Sequence, residues 1–134
     1  LDRIDIQCEI TPVPFKDISK AAPGEPSANI RERVIKAREI QAARYKDYKG
    51  IHCNAQMTER MIHQFAEPNE AGIDMLRMAM EKLSLSARAY SRILKVARTI
   101  ADLEGCEHVE LHHLAEAIGY RALDRGDWAE RGHI

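Results

Sequence analysis

Residues 85–105 read LSARAYSRILKVARTIADLEG, and their apolar positions recur every three or four residues, which predicts a helix. Ser86 is the predicted cap of its first turn, and Gly105 is expected to end it. Two apolar rows cover more than half of its circumference: Ile93, Val96, Ile100 and Leu103, and beside them Tyr90, Leu94, Ala97 and Ala101. The other side is a polar stripe of Arg88, Arg92, Lys95, Thr99 and Asp102. This helix is therefore expected to pack among several others.

The basic end of that stripe lies at the helix N-terminus, where an acid would be more stable. A cation in the first turn forgoes roughly 0.3–1 kcal/mol of favourable dipole energy. The stripe alone is consistent with a solvated surface. A second interpretation is an anion site, because helix N-termini bind anions and a guanidinium binds phosphate with two hydrogen bonds. Arg88 stands where both effects would act together.

Helical spacing continues on both sides of this stretch, and glycine or proline separates the segments. The pattern predicts about five helices, an all-α bundle. The apolar positions expected to face the core are Ile30, Val34, Ala37 and Ile40; Met57, Met61 or Ile62, and Phe65; Ile73, Leu76, Met80 and Leu83; and Leu111, Leu114, Ala117 and Ile118. The Met75, Met78 and Met80 group is interpreted as adaptable core rather than as a peptide groove.

The N-terminal residues have a different pattern. Ile4, Ile6, Cys8 and Ile10 alternate with polar residues, which predicts one orphan strand. The following proline-rich stretch is predicted to be an irregular linker. The predicted organisation is a terminal strand in 1–12, the linker in 13–26, the helical domain in 27–125 and a loose tail in 126–134.

Composition limits the class of protein. The 134 residues are 45% hydrophobic and carry a formal net charge of −1, which argues against whole-domain attraction to nucleic acid or an anionic membrane. No apolar run approaches the ~20 residues of a membrane span, so we expect a soluble, cytoplasmic protein. The three cysteines are far apart and indicate neither a disulfide framework nor a zinc cluster. The first residues, LDRIDI, lack a Met, and we expect a piece of a longer chain.

Four segments together resemble a known family. The order of these segments is similar to that in the C-terminal region of magnesium-chelatase-like AAA+ ATPases. The segments are LDRIDI at 1–6, SANIRERVIKAREIQAARY at 27–45, the stretch at 85–105 and HLAEAIGYR at 113–121. The resemblance is in particular to the bacterial competence protein ComM group. The resemblance implies a helical AAA+ lid preceded by a strand remnant of the ATPase core.

The same resemblance implies roles for individual residues. Arg88, in the S-A-R segment, is similar to the sensor-2 arginine that contacts nucleotide phosphate, with Arg92 a weaker candidate. Arg3, in the L-D-R segment, resembles the arginine finger that one subunit supplies in trans to its neighbour. Asp2 and Asp5 flank Arg3 and could orient it by ion pairing when nucleotide is absent. The parent protein would use ATP and Mg²⁺ in a homo-oligomeric ring, expected to be a hexamer, that acts on DNA and on no membrane.

One departure from the family limits what this chain can do. The sequence contains no G-x-x-x-x-G-K-[ST] phosphate cradle and no apolar strand that ends in Asp-Glu. We therefore expect this domain, taken alone, to have no ATPase activity and no bound cofactor. Two alternatives stay open: a nucleic-acid-binding or protein-interaction module that uses Arg88, Arg92 and Lys95, and the lid of a metal chelatase motor subunit.

A histidine group gives only a weak signal. His108, His112 and His113 approach metal-ligand spacing, but no carboxylate or cysteine is convincingly placed in the sequence to complete a site. They are interpreted as surface histidines, and no metal site is predicted.

Overall fold

The protein is described by a computed structural model that covers residues 4–8, 10, 12 and 24–121. Within these residues it contains five α-helices and no strand, which confirms the predicted all-α class. The helices are α1 (Ser27–Arg44), α2 (Glu59–Phe65), α3 (Glu70–Lys82), α4 (Ala87–Glu104) and α5 (Leu111–Gly119), with a 3₁₀ turn at Asn54–Gln56 before α2. None of these helices is both long and apolar enough to cross a bilayer.

Helix α4 is the central element, and α1, α2, α5 and the 3₁₀ turn all contact it. Ile93, Leu94 and Ala97 are almost fully buried along it. Both predicted ends are confirmed: the Ser86 hydroxyl accepts a hydrogen bond from the Ala89 N–H, and Gly105 adopts a left-handed φ of 78°. The local signals and the packing therefore agree on where this helix begins and ends.

The predicted apolar rows are too long at their edges. Ile30, Ile40, Leu103 and Leu111 are exposed in the structure, so these core assignments are wrong. In α1 only Ala37 and Gln41 are buried, because the described bundle covers the second half of that helix. The spacing of apolar residues alone identified the core-facing side of each helix. It did not show how far along the helix the neighbouring helices extend.

The N-terminal segment is not a strand where the structure describes it. Residues 4–8 run irregularly along the bundle, and the Gln7 N–H donates to the Tyr120 carbonyl at 2.9 Å. The Arg121 guanidinium donates to the carbonyl oxygen of Ile4. The alternation of apolar residues predicted a strand. Among the described residues, however, the segment contacts the C-terminal end of α5 and not another strand. The domain boundary at 12/13, the boundary at 125/126 and the predicted tail involve residues outside those described.

Candidate functional site

An open cleft of about 780 Å³ lies beside the N-terminal half of α4. Three cationic side chains from one side of this helix line it: Arg88, Arg92 and Lys95. The helical repeat brings them together, since successive steps of four and three residues return to the same side. The basic half of the predicted stripe thus belongs to one concave surface.

The three cations are held differently. Arg88 lies in the first turn of α4 and is exposed. Arg92 is partly buried, with 28% of its side chain exposed, and pairs with the Asp5 carboxylate at 2.5 Å. Its Nε has no hydrogen-bond partner among the described residues. The Lys95 ammonium donates to the Ala55 carbonyl at 3.1 Å. Arg92 therefore keeps donor capacity that the described protein groups do not use.

Two acids share the cleft with these cations. Asp5 pairs with Arg92, and Glu59 accepts a hydrogen bond from the Ser91 hydroxyl at 2.8 Å. Three positive and two negative side chains give the cleft a small positive excess. This balance suits a phosphate group held at the helix N-terminus by guanidinium hydrogen bonds. It is too small for attraction along a nucleic-acid backbone.

Only some of the predicted site residues lie among those that the structure describes. The structure brings Arg88 and Arg92 together, whereas Arg3 and Asp2 lie outside the described residues. Asp5 was expected to orient Arg3; its observed partner is Arg92, 87 positions away in sequence. This contact could not be predicted from the sequence, because a link between an irregular segment and a distant helix leaves no periodic pattern.

The acidic end of the polar stripe is not solvated. Asp102 is only 2% exposed, so placing it on a solvated face was wrong. Its two carboxylate oxygens accept hydrogen bonds from Arg44 at 2.9 and 2.7 Å, and Arg98 lies 3.1 Å away. The hydrogen bond to Asp102 raises the pKa of Arg44, while burial lowers the pKa of Arg98. Two guanidinium groups therefore compensate the buried carboxylate.

Asn54 joins the same buried network from the 3₁₀ turn. Its side-chain amide donates to Asp102 at 2.9 Å, and its side-chain oxygen accepts from the Tyr45 hydroxyl at 2.6 Å. Its backbone N–H donates to the Gln41 side chain at 3.0 Å. This network links α1, the turn and α4. The one available signal was Arg98 and Asp102, opposite charges four residues apart on a helix.

Two of the histidines lie close to a carboxylate that the sequence analysis did not identify, that of Glu104. Glu104 accepts from His112 Nε2 at 2.8 Å and lies 3.3 Å from Nε2 of His113, which is fully buried. The His112 hydrogen bond lowers the pKa of Glu104. However, the Glu110 N–H donates to His113 Nδ1, so a neutral ring carries its proton on Nε2, the atom a metal would need. We interpret the group as a set of polar contacts that hold α4 and α5 together, and not as a metal centre.

Comparison with known proteins identifies the relatives of this chain. Competence protein ComM of Haemophilus influenzae is 43% identical over 126 residues, which are 93% of this chain and 24% of that protein. Uncharacterized protein YifB of Escherichia coli is 40% identical over the same shares. Uncharacterized protein Rv2897c of Mycobacterium tuberculosis is 32% identical over 90% of this chain and 24% of its own length. The chain thus spans about a quarter of each of these relatives.

The match to a family extends over all five helices. The model of the family described as magnesium chelatase, subunit ChlI C-terminal, matches residues 24–121. That range contains Arg88, Arg92 and Lys95 but not the segment that carries Arg3 and Asp5. The chain therefore belongs to the magnesium chelatase C-terminal family.

Proposed function

We propose that this domain is the sensor and lid of a cytoplasmic AAA+ ATPase that couples ATP hydrolysis in an oligomeric ring to remodelling of DNA. Membership of the magnesium chelatase C-terminal family supports the lid assignment. The similarity to a protein named for competence supports DNA as the substrate in preference to a metal chelation reaction. The ring, expected to be a hexamer, follows from the resemblance to AAA+ ATPases.

The observation that carries this proposal is the convergence of three cations at the N-terminal half of α4. Arg88 lies nearest the helix end, where the positive end of the helix dipole favours an anion. A guanidinium that contacts a phosphate stabilises charge as it develops during bond cleavage. In this proposal Arg88 senses the nucleotide phosphate, and α4 transmits the contact to the bundle as a rigid body.

The cleft fits phosphate but not the magnesium ion of the parent enzyme. Its two carboxylates, Asp5 and Glu59, are already engaged by Arg92 and Ser91. A site for Mg²⁺ normally needs free oxygen ligands, and the sequence of this chain also lacks the phosphate cradle. We therefore assign the metal to the parent ATPase core and give this cleft only the nucleotide phosphate.

Arg88→Ala tests the assignment in the full-length ring. We expect the melting temperature to stay the same or rise slightly, because alanine favours the helix and removes an unfavourable first-turn charge. ATP hydrolysis stimulated by DNA should fall by orders of magnitude, as for other arginines that contact the transferring phosphate, worth about 10³–10⁵ in rate. Arg92→Ala should reduce activity less, since Arg92 lies one turn further from the helix end.

Arg77→Ala is the matched control, because Arg77 is an exposed arginine of α3 that pairs with Asp74 and does not line the cleft. It should leave hydrolysis unchanged. Parent-like hydrolysis by Arg88→Ala would contradict the sensor role. If that variant hydrolyses ATP normally yet binds DNA more weakly, the alternative of a nucleic-acid-binding module is correct instead.

A further inference from the structure

The N-terminal segment 4–8 is attached to the bundle beside the cleft by polar contacts. One contact is the Asp5–Arg92 ion pair, and the others are the hydrogen bonds of the Gln7 N–H to Tyr120 and of Arg121 to Ile4. Ile4 and Ile6 are 50% and 52% exposed, so apolar burial holds the segment only in part. The Asp5–Arg92 pair is partly exposed and opens at low cost in free energy, whereas the Arg121 guanidinium that holds Ile4 is fully buried.

Asp5 also occupies the place of an anion. Its carboxylate lines the same cleft as Arg88 and Lys95 and meets the Arg92 guanidinium, as a phosphate oxygen would. With Asp5 present the cleft holds three positive and two negative side chains; without it the positive excess would double. Arg92 Nε is buried and has no hydrogen-bond partner among the described residues, so it can donate to a phosphate oxygen only after Asp5 moves away.

We propose that Asp5 is an internal counter-anion for Arg92, which a nucleotide phosphate displaces, so that filling the cleft loosens segment 4–8 at Asp5 and Gln7 while the buried Arg121 still holds Ile4. This inference rests on the proposed function. It links the state of the cleft to the position of the segment that directly follows Arg3 in sequence. Asp5 is in this sense a positioning residue: it acts through Arg92 and touches no reacting atom.

The first test measures nucleotide affinity in the full-length protein with a non-hydrolysable ATP analogue. Asp5→Asn removes the competing charge, so the analogue should bind roughly two- to fivefold more tightly, the range expected for one partly exposed ion pair. Asp5→Glu, which keeps the charge, should bind as the parent does. Asp74→Asn breaks an exposed ion pair on α3 and is the matched control with unchanged affinity.

The second test needs no variant. Hydrogen exchange of the Gln7 amide, which donates to the Tyr120 carbonyl, should accelerate severalfold when the ATP analogue binds. Unchanged or slower exchange there, or an Asp5→Asn affinity equal to that of the parent, would overturn the displacement. If Arg88→Ala abolishes activity while these two readouts stay flat, only this inference fails. If Arg88→Ala is also silent, the nucleotide assignment fails with it.

Discussion

Asp102 is the residue on which the packing of α1 and the 3₁₀ turn against α4 depends. It is 2% exposed and accepts hydrogen bonds from Arg44 and Asn54, with Arg98 in ion-pair contact. Removing one partner of a buried ion pair leaves an uncompensated charge. Here the loss of Asp102 would leave two guanidinium groups facing each other without their shared acid.

Asp102→Asn should therefore lower the free energy of unfolding by about 3 kcal/mol, although the side chain keeps its shape. Chemical denaturation of the isolated domain measures this change directly. Asp74→Asn, the same substitution at an exposed pair, should change stability little. A variant at Asp102 as stable as the Asp74 variant would show that the network contributes nothing net.

The same residue shows where prediction from the sequence fails. Helical spacing correctly predicts one polar stripe, but spacing alone favours a solvated surface for all of it, including Asp102. The spacing of residues shows which of them share one side of a helix. Whether that side is buried depends on which neighbouring element packs against it. Asp102 is buried by α1 and the 3₁₀ turn, whose residues Arg44 and Asn54 lie 58 and 48 positions away in sequence. No local sequence pattern encodes these contacts.

At the scale of elements, α3 and α5 approach closely where α3 has no side chain. An ideal Cβ on Gly72 would lie 2.6 Å from Pro68 Cβ and 2.8 Å from Leu114 Cδ1. Leu114 is fully buried, so it has little room to move, and the proline ring is rigid. The Asn69 side chain caps α3 by accepting a hydrogen bond from the Gly72 N–H.

Gly72→Ala should consequently destabilise the domain by about 1–3 kcal/mol, the usual cost of overpacking. Helix propensity alone predicts the opposite, a gain of about 1 kcal/mol. Gly119 at the end of α5 is the matched control, since an added Cβ there meets nothing within 4 Å. Thermal melts of both variants decide between the two effects: a stabilised Gly72→Ala would mean that α3 and α5 separate easily.

The sequence predicts the elements of this domain better than their contacts. Ser86 and Gly105 predict the two ends of α4 because their effects act within a single turn. The structure confirms both ends. The cleft was only half predicted: Arg88 and Arg92 follow from helical spacing, but Asp5 and Glu59 enter it from other segments. These acids reach the cleft through tertiary folding, which no period in one segment describes.

At the scale of the whole molecule, we propose that Arg88 and Arg3 act on nucleotides of different subunits in a ring. Arg88 is expected to serve the nucleotide of its own chain, and Arg3 that of the neighbouring chain. Rings of Arg3→Ala subunits alone, or of Arg88→Ala subunits alone, would then lack a complete site. In a ring that mixes the two, an Arg3→Ala subunit whose neighbour is an Arg88→Ala subunit regains both arginines.

Mixing equal amounts of the two inactive full-length variants should therefore restore activity at roughly a quarter of the interfaces, as random assembly of a cyclic ring predicts. The measurement is DNA-stimulated ATP hydrolysis as a function of the mixing ratio, with each variant mixed with itself as the control. Recovery peaking at equal amounts would support action of Arg3 across the interface. Asp5, two residues after Arg3, lines the cleft of Arg88 in the same chain. Complete absence of recovery would accordingly mean that Arg3 and Arg88 of the same chain act on the same nucleotide, and the division between subunits would be wrong.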